Sequence, residues 1–125
     1  MPALLNGLRV LLLEDEVLIA MDVEQLCLDN GAATVKTVRD LAETEAANPA
    51  LFDIAIVDLR LGGQSTLGFA RRLNEMDIPF IFASGYTDIE EIAQEFPGVI
   101  FVPKPYSGND LIDAVAAACR KRSAA

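Results

Sequence analysis

A doubly wound α/β sheet, five parallel strands with helices on both faces, is the fold this sequence predicts. Three observations carry that expectation. Short apolar runs alternate with helix-spaced segments along the 125 residues. The runs at 53–58 and 80–83 are apolar on both faces, as strands covered on each side must be. Polar groups stand where the runs end, at Glu14, Asp15, Asp58, Ser84 and Lys104. Hydrophobic residues at 52% and charged residues at 23% fit one self-sufficient core over about residues 8–122, so 1–125 is read as a single domain.

Residues 8–13 are branched and apolar over a length at which a helix is marginal, so they read as the first, buried strand. Ile19, Val23, Leu26 and Cys27 then recur at helical spacing, and Asn30-Gly31 supplies a left-handed stop. Val and Thr alternate with polar residues at 33–38, which predicts an edge strand. Asp40 with Glu43 three residues on predicts the capped start of a second helix lasting to about Asn48-Pro49. The run ending at Asp58 is the third, central strand. Beyond Leu61-Gly62-Gly63, Leu67, Ala70 and Leu73 mark helix three, and Ile78-Pro79 leads into the fourth strand. Thr87-Asp-Ile-Glu90 has capping-box form and predicts a short acidic helix that Phe96-Pro97-Gly98 must stop. Residues 99–102 predict strand five, and Lys104-Pro105 a rigid turn. Leu111, Val115, Ala118 and Cys119 form the buried stripe of a last helix, whose negative end Arg120, Lys121 and Arg122 complement.

Lys plus Arg number 10 against 19 for Asp plus Glu, a net charge of −9 that disfavours duplex DNA and anionic membranes as partners. Cations or basic protein surfaces suit it better. The absence of histidine excludes His-based acid/base catalysis, Ser/His and Cys/His nucleophile pairs, and imidazole metal sites. Cys27 and Cys119 lack CxxC spacing and read as buried, reduced thiols of a cytoplasmic protein. The run at 8–13 is followed by Glu14, Asp15 and Glu16, unlike a signal peptide or a membrane span. The last helix is expected to use the chain to about Arg122, leaving no tail long enough to tether a further domain.

In such sheets ligands bind at the carboxyl ends of strands, near the point where strand order reverses. If the order is 2-1-3-4-5, strands one, three, four and five are successive neighbours, and Glu14, Asp15, Asp58, Ser84 and Lys104 converge. Like charges ~4 Å apart cost about 4 kcal/mol at an effective dielectric of ~20, so three carboxylates in one cleft need an offset. One divalent cation plus Lys104 balances them. Oxygen donors without His or Cys favour Mg²⁺ over zinc or copper. A carboxylate beside a metal, an ammonium and a hydroxyl is suited to accept a phosphoryl group, and Asp58 is the candidate acceptor.

Leu13-Glu14-Asp15-Glu16, Val57-Asp58-Leu59, Ala83-Ser84-Gly85 and Lys104-Pro105, in that order over essentially the whole chain, resemble the receiver domain of response regulators, which has a flavodoxin-like fold. The resemblance implies that Asp58 is phosphorylated from a sensor histidine kinase or a histidine phosphotransfer protein. It implies Mg²⁺, with Mn²⁺ as the substitute, held by Asp15 and Asp58 directly, by Glu14 mainly through water, and by the backbone carbonyl of Arg60. Lys104 would pair with the phosphoryl group. Ser84 stands where the family carries a Thr or Ser that moves to bond the phosphate, and Phe101 stands at the aromatic switch position. The Lys104–Pro105 bond is often cis in relatives.

Phe82-Ala-Ser-Gly-Tyr86 further resembles a receiver subset whose fourth strand ends Phe-Ala-Thr-Gly-Gly/Tyr, with Ser84 in place of Thr. Those receivers commonly stand alone, tend to work with kinases of the His-Trp-Glu type, and often have a short or mobile fourth helix. The 20-residue separation of Ser84 and Lys104 is short for the wider family and agrees with that. It also makes a core aromatic the competing reading of Phe101. Arg60 and Tyr86 would flank the phosphate entrance and influence dephosphorylation.

The blander readings are a solvated helix cap for Glu14 to Glu16, a turn acid for Asp58, turn chemistry for Ser84-Gly85 and a surface lysine for Lys104. Asp88, Glu90, Glu91 and Glu95 read as solvated surface, with partner docking as the alternative. Taken together, the residues point to a stand-alone switch. Its output is a protein contact on the strand 4, helix 4, strand 5, helix 5 face, and its catalysis is limited to its own modification. A metal-dependent phosphohydrolase would need an acid two residues after Asp58, where Arg60 stands. A flavin binder would suffer repulsion of its phosphate by Glu14, Asp15 and Glu16. The surviving alternative is an unphosphorylated pseudo-receiver scaffold or adaptor.

Overall fold

The computed structural model describes residues 4–84, 89–104 and 108–124, the side chains of 84, 89 and 121–124 excepted. The chain runs β1 (Arg9–Leu13), α1 (Val17–Asp29), β2 (Thr34–Val38), α2 (Leu41–Ala46), β3 (Ile54–Asp58), β4 (Arg60–Leu61), β5 (Gln64–Ser65), α3 (Leu67–Glu75), β6 (Phe80–Ser84), α4 (Ile89–Glu95), β7 (Ile100–Pro103) and α5 (Gly108–Ala124). Five strands form one parallel sheet in the order β2-β1-β3-β6-β7. This is the expected 2-1-3-4-5 order, because β4 and β5 make a separate antiparallel hairpin between the third and fourth strands of the main sheet.

The alternation of side chains along each strand divides the core in two. Val10, Leu12, Ile54, Ile56 and Ile81 face Ala20, Val23 and Cys27 of α1 and Leu111 and Val115 of α5. Leu11, Leu13, Ala55, Val57, Phe80 and Phe82 face Phe69, Ala70 and Leu73 of α3 and Ile92 and Phe96 of α4. Residues with core on both sides leave no polar position in β3 until Asp58, which explains the unbroken apolar run.

The local signals behave as their chemistry requires. Asp40 accepts a 2.8 Å hydrogen bond from the Glu43 amide, and Gly31 has φ +97° where α1 stops. Helix α2 ends at Ala46 rather than near Pro49, because Asn48 starts a separate 3-10 turn, Pro49–Leu51, and accepts a 3.1 Å bond from the Ala50 amide. Spacing gave no sign of the β4–β5 hairpin, whose turn holds Gly62 at φ +55° and Gly63 at φ +81°. Both cysteines are free thiols, but only Cys27 is fully buried; Cys119 lies at the margin of the α1–α5 core and is half-buried. Among the described residues no helix is long and apolar enough to cross a membrane. Thr87 and Asp88 of the proposed capping box, and Pro105, lie outside the described residues.

Candidate functional site

Parallel pairing aligns the carboxyl ends of β1, β3, β6 and β7 along one edge. Leu13 pairs with Val57, Asp58 with Ala83, and Ser84 with Pro103. The residues that follow these ends are therefore neighbours although far apart in sequence.

Glu14 prolongs β1, its amide donating to the Val38 carbonyl at 3.1 Å. Its side chain is turned inward and wholly buried. Oε1 accepts from the Glu16 amide at 3.1 Å. Among the described residues Oε2 is met by the Lys104 ammonium at 3.0 Å, an ion pair and not a well-angled hydrogen bond. Burial raises the Glu14 pKa above the ordinary carboxylate value, with the Glu16 amide and Lys104 opposing it. The solvated-cap reading fails here: α1 has no acid in its first turn, and Glu16 at its N-cap makes no side-chain cap bond.

Asp58 ends β3 with its side chain 13% exposed, and its Oδ2 accepts a 2.7 Å bond from Lys104 Nζ. Oδ1 accepts a longer 3.3 Å bond from the Arg60 amide. Lys104 follows β7 directly. Burial works to lower its pKa, but the hydrogen bond to Asp58 and the ion pair with Glu14 outweigh burial and leave it raised, so Lys104 is an ammonium at neutral pH. Asp15 is exposed at the rim, and its Oδ2 accepts a 2.9 Å bond from the Gly62 amide.

One carboxylate oxygen from each of Glu14, Asp15 and Asp58 lies within 4.8 Å of the others. A set of carboxylate oxygens, three acids against the single Lys104 ammonium, fits a hard divalent cation such as Mg²⁺. Sequence reasoning placed Glu14, Asp15, Asp58 and Lys104 together, and the structure does bring them together. The Arg60 backbone adjoins Asp58, but its side chain folds back, Nη1 donating to the Gly63 carbonyl at 3.2 Å. Phe101 is half-buried and stacked on Phe82, ring centroids 5.6 Å apart at 28°, in a cluster that Phe80 and Phe96 complete edge-on. It thus packs as a core aromatic at the sheet margin. The Ser84 backbone ends β6 beside the site, while its side chain, Gly85 and Tyr86 lie outside the described residues. Of the acidic surface, Glu90, Glu91 and Glu95 are all exposed, and Glu95 also pairs with Arg71 of α3, whose Nη2 donates to Oε1 at 3.0 Å.

Two residues of the site were missed. Thr66 is wholly buried and donates from Oγ1 to the Asp58 carbonyl at 2.6 Å, closing the loop behind the acceptor. A threonine just before a helix signals an N-cap, yet Thr66 makes no side-chain cap bond; its hydroxyl serves the strand end instead. Gly62, which spacing marks only as a turn residue, reaches Asp15 through its backbone amide.

No family model matches the chain. It is 29% identical over 116 residues to Nodulation protein W of Bradyrhizobium diazoefficiens, covering 90% of this chain and 51% of that one. It is 29% identical over 111 residues to the transcriptional regulatory protein PdtaR of Mycobacterium tuberculosis, covering 86% and 54%. The chain thus spans about half the length of these curated relatives. A response regulator receiver protein from Sinorhizobium medicae superposes with a TM-score of 0.78 at 25% identity, over 93% of this chain and 97% of that one. The structural neighbours are receiver domains of response regulators, and this chain has their fold.

Proposed function

We propose that this chain is a receiver of a two-component phosphorelay, in which Asp58 takes a phosphoryl group and thereby switches protein contacts. The observation that carries this reading is the Asp58 carboxylate, paired with Lys104 at 2.7 Å and grouped with Glu14 and Asp15. An Asp58 oxygen attacks the phosphorus of a phosphohistidine; the P–N bond breaks, its electron pair returns to the imidazole, and an acyl phosphate remains. Lys104 is already charged and balances the added negative charge. Glu14, Asp15, Asp58 and the Arg60 carbonyl would hold Mg²⁺ or Mn²⁺, which when bound neutralises charge on the phosphoryl oxygens. Water later attacks the phosphorus and restores the carboxylate.

The Ser84 hydroxyl is assigned to bond the phosphoryl group and Phe101 to respond through its stack on Phe82, with Arg60 and Tyr86 at the entrance. The guanidinium of Arg60, two residues after Asp58, holds its proton too tightly to act as a general acid, which supports catalysis confined to the chain's own modification. The donor is a histidine kinase, of the His-Trp-Glu type if the Phe82-to-Tyr86 likeness holds, or a phosphotransfer protein. Supporting a protein donor, Val17, Leu18, Met21 and Leu28 are exposed along one face of α1, the helix that starts beside Asp15. The output partner is assigned to the β6, α4, β7, α5 face, and the cytoplasm is the compartment that suits this chemistry. The net charge of −9 disfavours direct contact of this region with nucleic acid or membrane.

Intact-protein mass after incubation with acetyl phosphate tests the reading. A gain of one phosphoryl group that requires Mg²⁺ and disappears in Asp58→Ala is expected. No gain with acetyl phosphate or with a phosphorylated kinase would leave the unphosphorylated scaffold in its place.

A further inference from the structure

The two-strand hairpin β4–β5 is braced at four points. Leu61 is wholly buried in the α3 side of the core. Arg60 Nη1 closes on the Gly63 carbonyl at 3.2 Å across the turn. The Thr66 amide donates to the Leu59 carbonyl at 3.1 Å, and the Thr66 hydroxyl to the Asp58 carbonyl at 2.6 Å. From this braced turn two amides reach two acids of different strands. Arg60 donates to Asp58 Oδ1 at 3.3 Å and Gly62 donates to Asp15 Oδ2 at 2.9 Å. Asp15 is otherwise an exposed side chain, and among the described residues nothing donates to its Oδ1.

We infer that the hairpin is a positioning element for the divalent-cation site: the Gly62 amide holds Asp15 in place, leaves Oδ1 to the ion, and so sets the site's affinity. The inference rests on the cation-dependent reading above. A ligating carboxylate fixed by an outer hydrogen bond loses less freedom when it binds, and removing such a partner costs affinity. The Gly62 conformation, φ +55°, is one that glycine and asparagine tolerate, and no atom lies within 4 Å of where its Cβ would stand. Asparagine therefore keeps the amide in this turn, whereas proline, locked at φ of about −65°, cannot occupy it; an ester bond in place of the amide removes the N–H and leaves φ free.

Calorimetric titration of the full chain with MgCl₂ is the test, on wild type, Gly62→Asn and a chain in which glycolic acid replaces Gly62, so that an ester links it to Leu61. The ester oxygen replaces the amide N–H without fixing φ and is expected to weaken Mg²⁺ binding by about 10-fold or more. Asparagine keeps it and is expected to stay within about 2-fold of wild type. Equal affinity in wild type and the ester chain would overturn the hairpin's role and leave the phosphoryl-acceptor reading intact. No Mg²⁺ binding by wild type would overturn that reading and this inference with it. Should the ester chain fail to fold, hydrogen exchange of the Gly62 amide in EDTA decides. It should be slow in wild type and fast in Asp15→Ala, and equal rates would overturn the inference.

Discussion

The Lys104 ammonium bridges two acids of different strands, 2.7 Å from Asp58 at the end of β3 and 3.0 Å from the buried Glu14 beyond β1. Removing it leaves two carboxylates facing each other with little solvent access. Lys104→Met should therefore lower the stability of the cation-free protein by about 1–3 kcal/mol, less than a fully buried pair would cost because the lysine is partly exposed. Denaturant melts in EDTA read this directly, and added Mg²⁺ should recover part of the loss.

Glu14 behaves in the opposite sense. Its pKa is raised by burial, so its ionised form is disfavoured in the folded state. The stability this group allows is full below the unfolded-state pKa and falls as pH rises toward the folded-state value. Glu14→Gln should accordingly raise the melting temperature at pH 7 in EDTA and shrink the stabilisation gained from Mg²⁺. A lower melting temperature in EDTA would show that the pairing with Lys104 outweighs burial.

At the other end of the sheet, Arg9 grips Asp53 with its amide at 2.8 Å and with its guanidinium at 3.1 and 3.0 Å. The side-chain bond to Arg9 lowers the Asp53 pKa despite some desolvation. That contribution is present above the unfolded-state pKa and disappears as pH falls through the folded-state value. Asp53→Asn should flatten the acid limb of a stability-against-pH profile below pH ~4 and leave phosphorylation of Asp58 unchanged.

Thr66→Val keeps the shape of the side chain but deprives the Asp58 carbonyl of its 2.6 Å donor. A loss of about 1–2 kcal/mol is expected, with slower phosphorylation from acetyl phosphate because the acceptor's strand end is less firmly held. Thr66→Ser should restore the rate. If Thr66→Val destabilises the fold without changing the rate, the bond is structural only.

Burial pushes the Cys27 thiol up to about 11, so it carries almost no thiolate at pH 8. Cys119, half-buried, is expected to react first with a disulfide reagent under native conditions. In Cys119→Ser the remaining thiol should react only at the rate of global or local opening.

The main sheet was legible because its buried strands are apolar throughout and because the acids, Ser84 and Lys104 interrupt that pattern only at strand ends. Once the order was right, parallel register alone brought Asp58 to Glu14 and Lys104. The hairpin was not legible: strands of two residues carry no periodicity, and Gly62-Gly63 announces a turn without saying what the turn's amides will reach. Nor could spacing show that Glu14 points inward while Asp15 stays at the rim, since either side of the strand end offers a plausible place for an acid. Thr66 eluded the reading for a related reason, its cap position concealing a hydroxyl turned back to Asp58.

The central claim is that Asp58 itself becomes an acyl phosphate, and reductive trapping tests it most directly. Borohydride reduces an acyl phosphate to the alcohol, so an aspartyl phosphate is converted to homoserine. After treatment with acetyl phosphate and Mg²⁺, peptide mass spectrometry should find homoserine at position 58 and aspartate unchanged at 15 and 53. Homoserine at another position, or at none while the protein demonstrably binds Mg²⁺, would contradict the account.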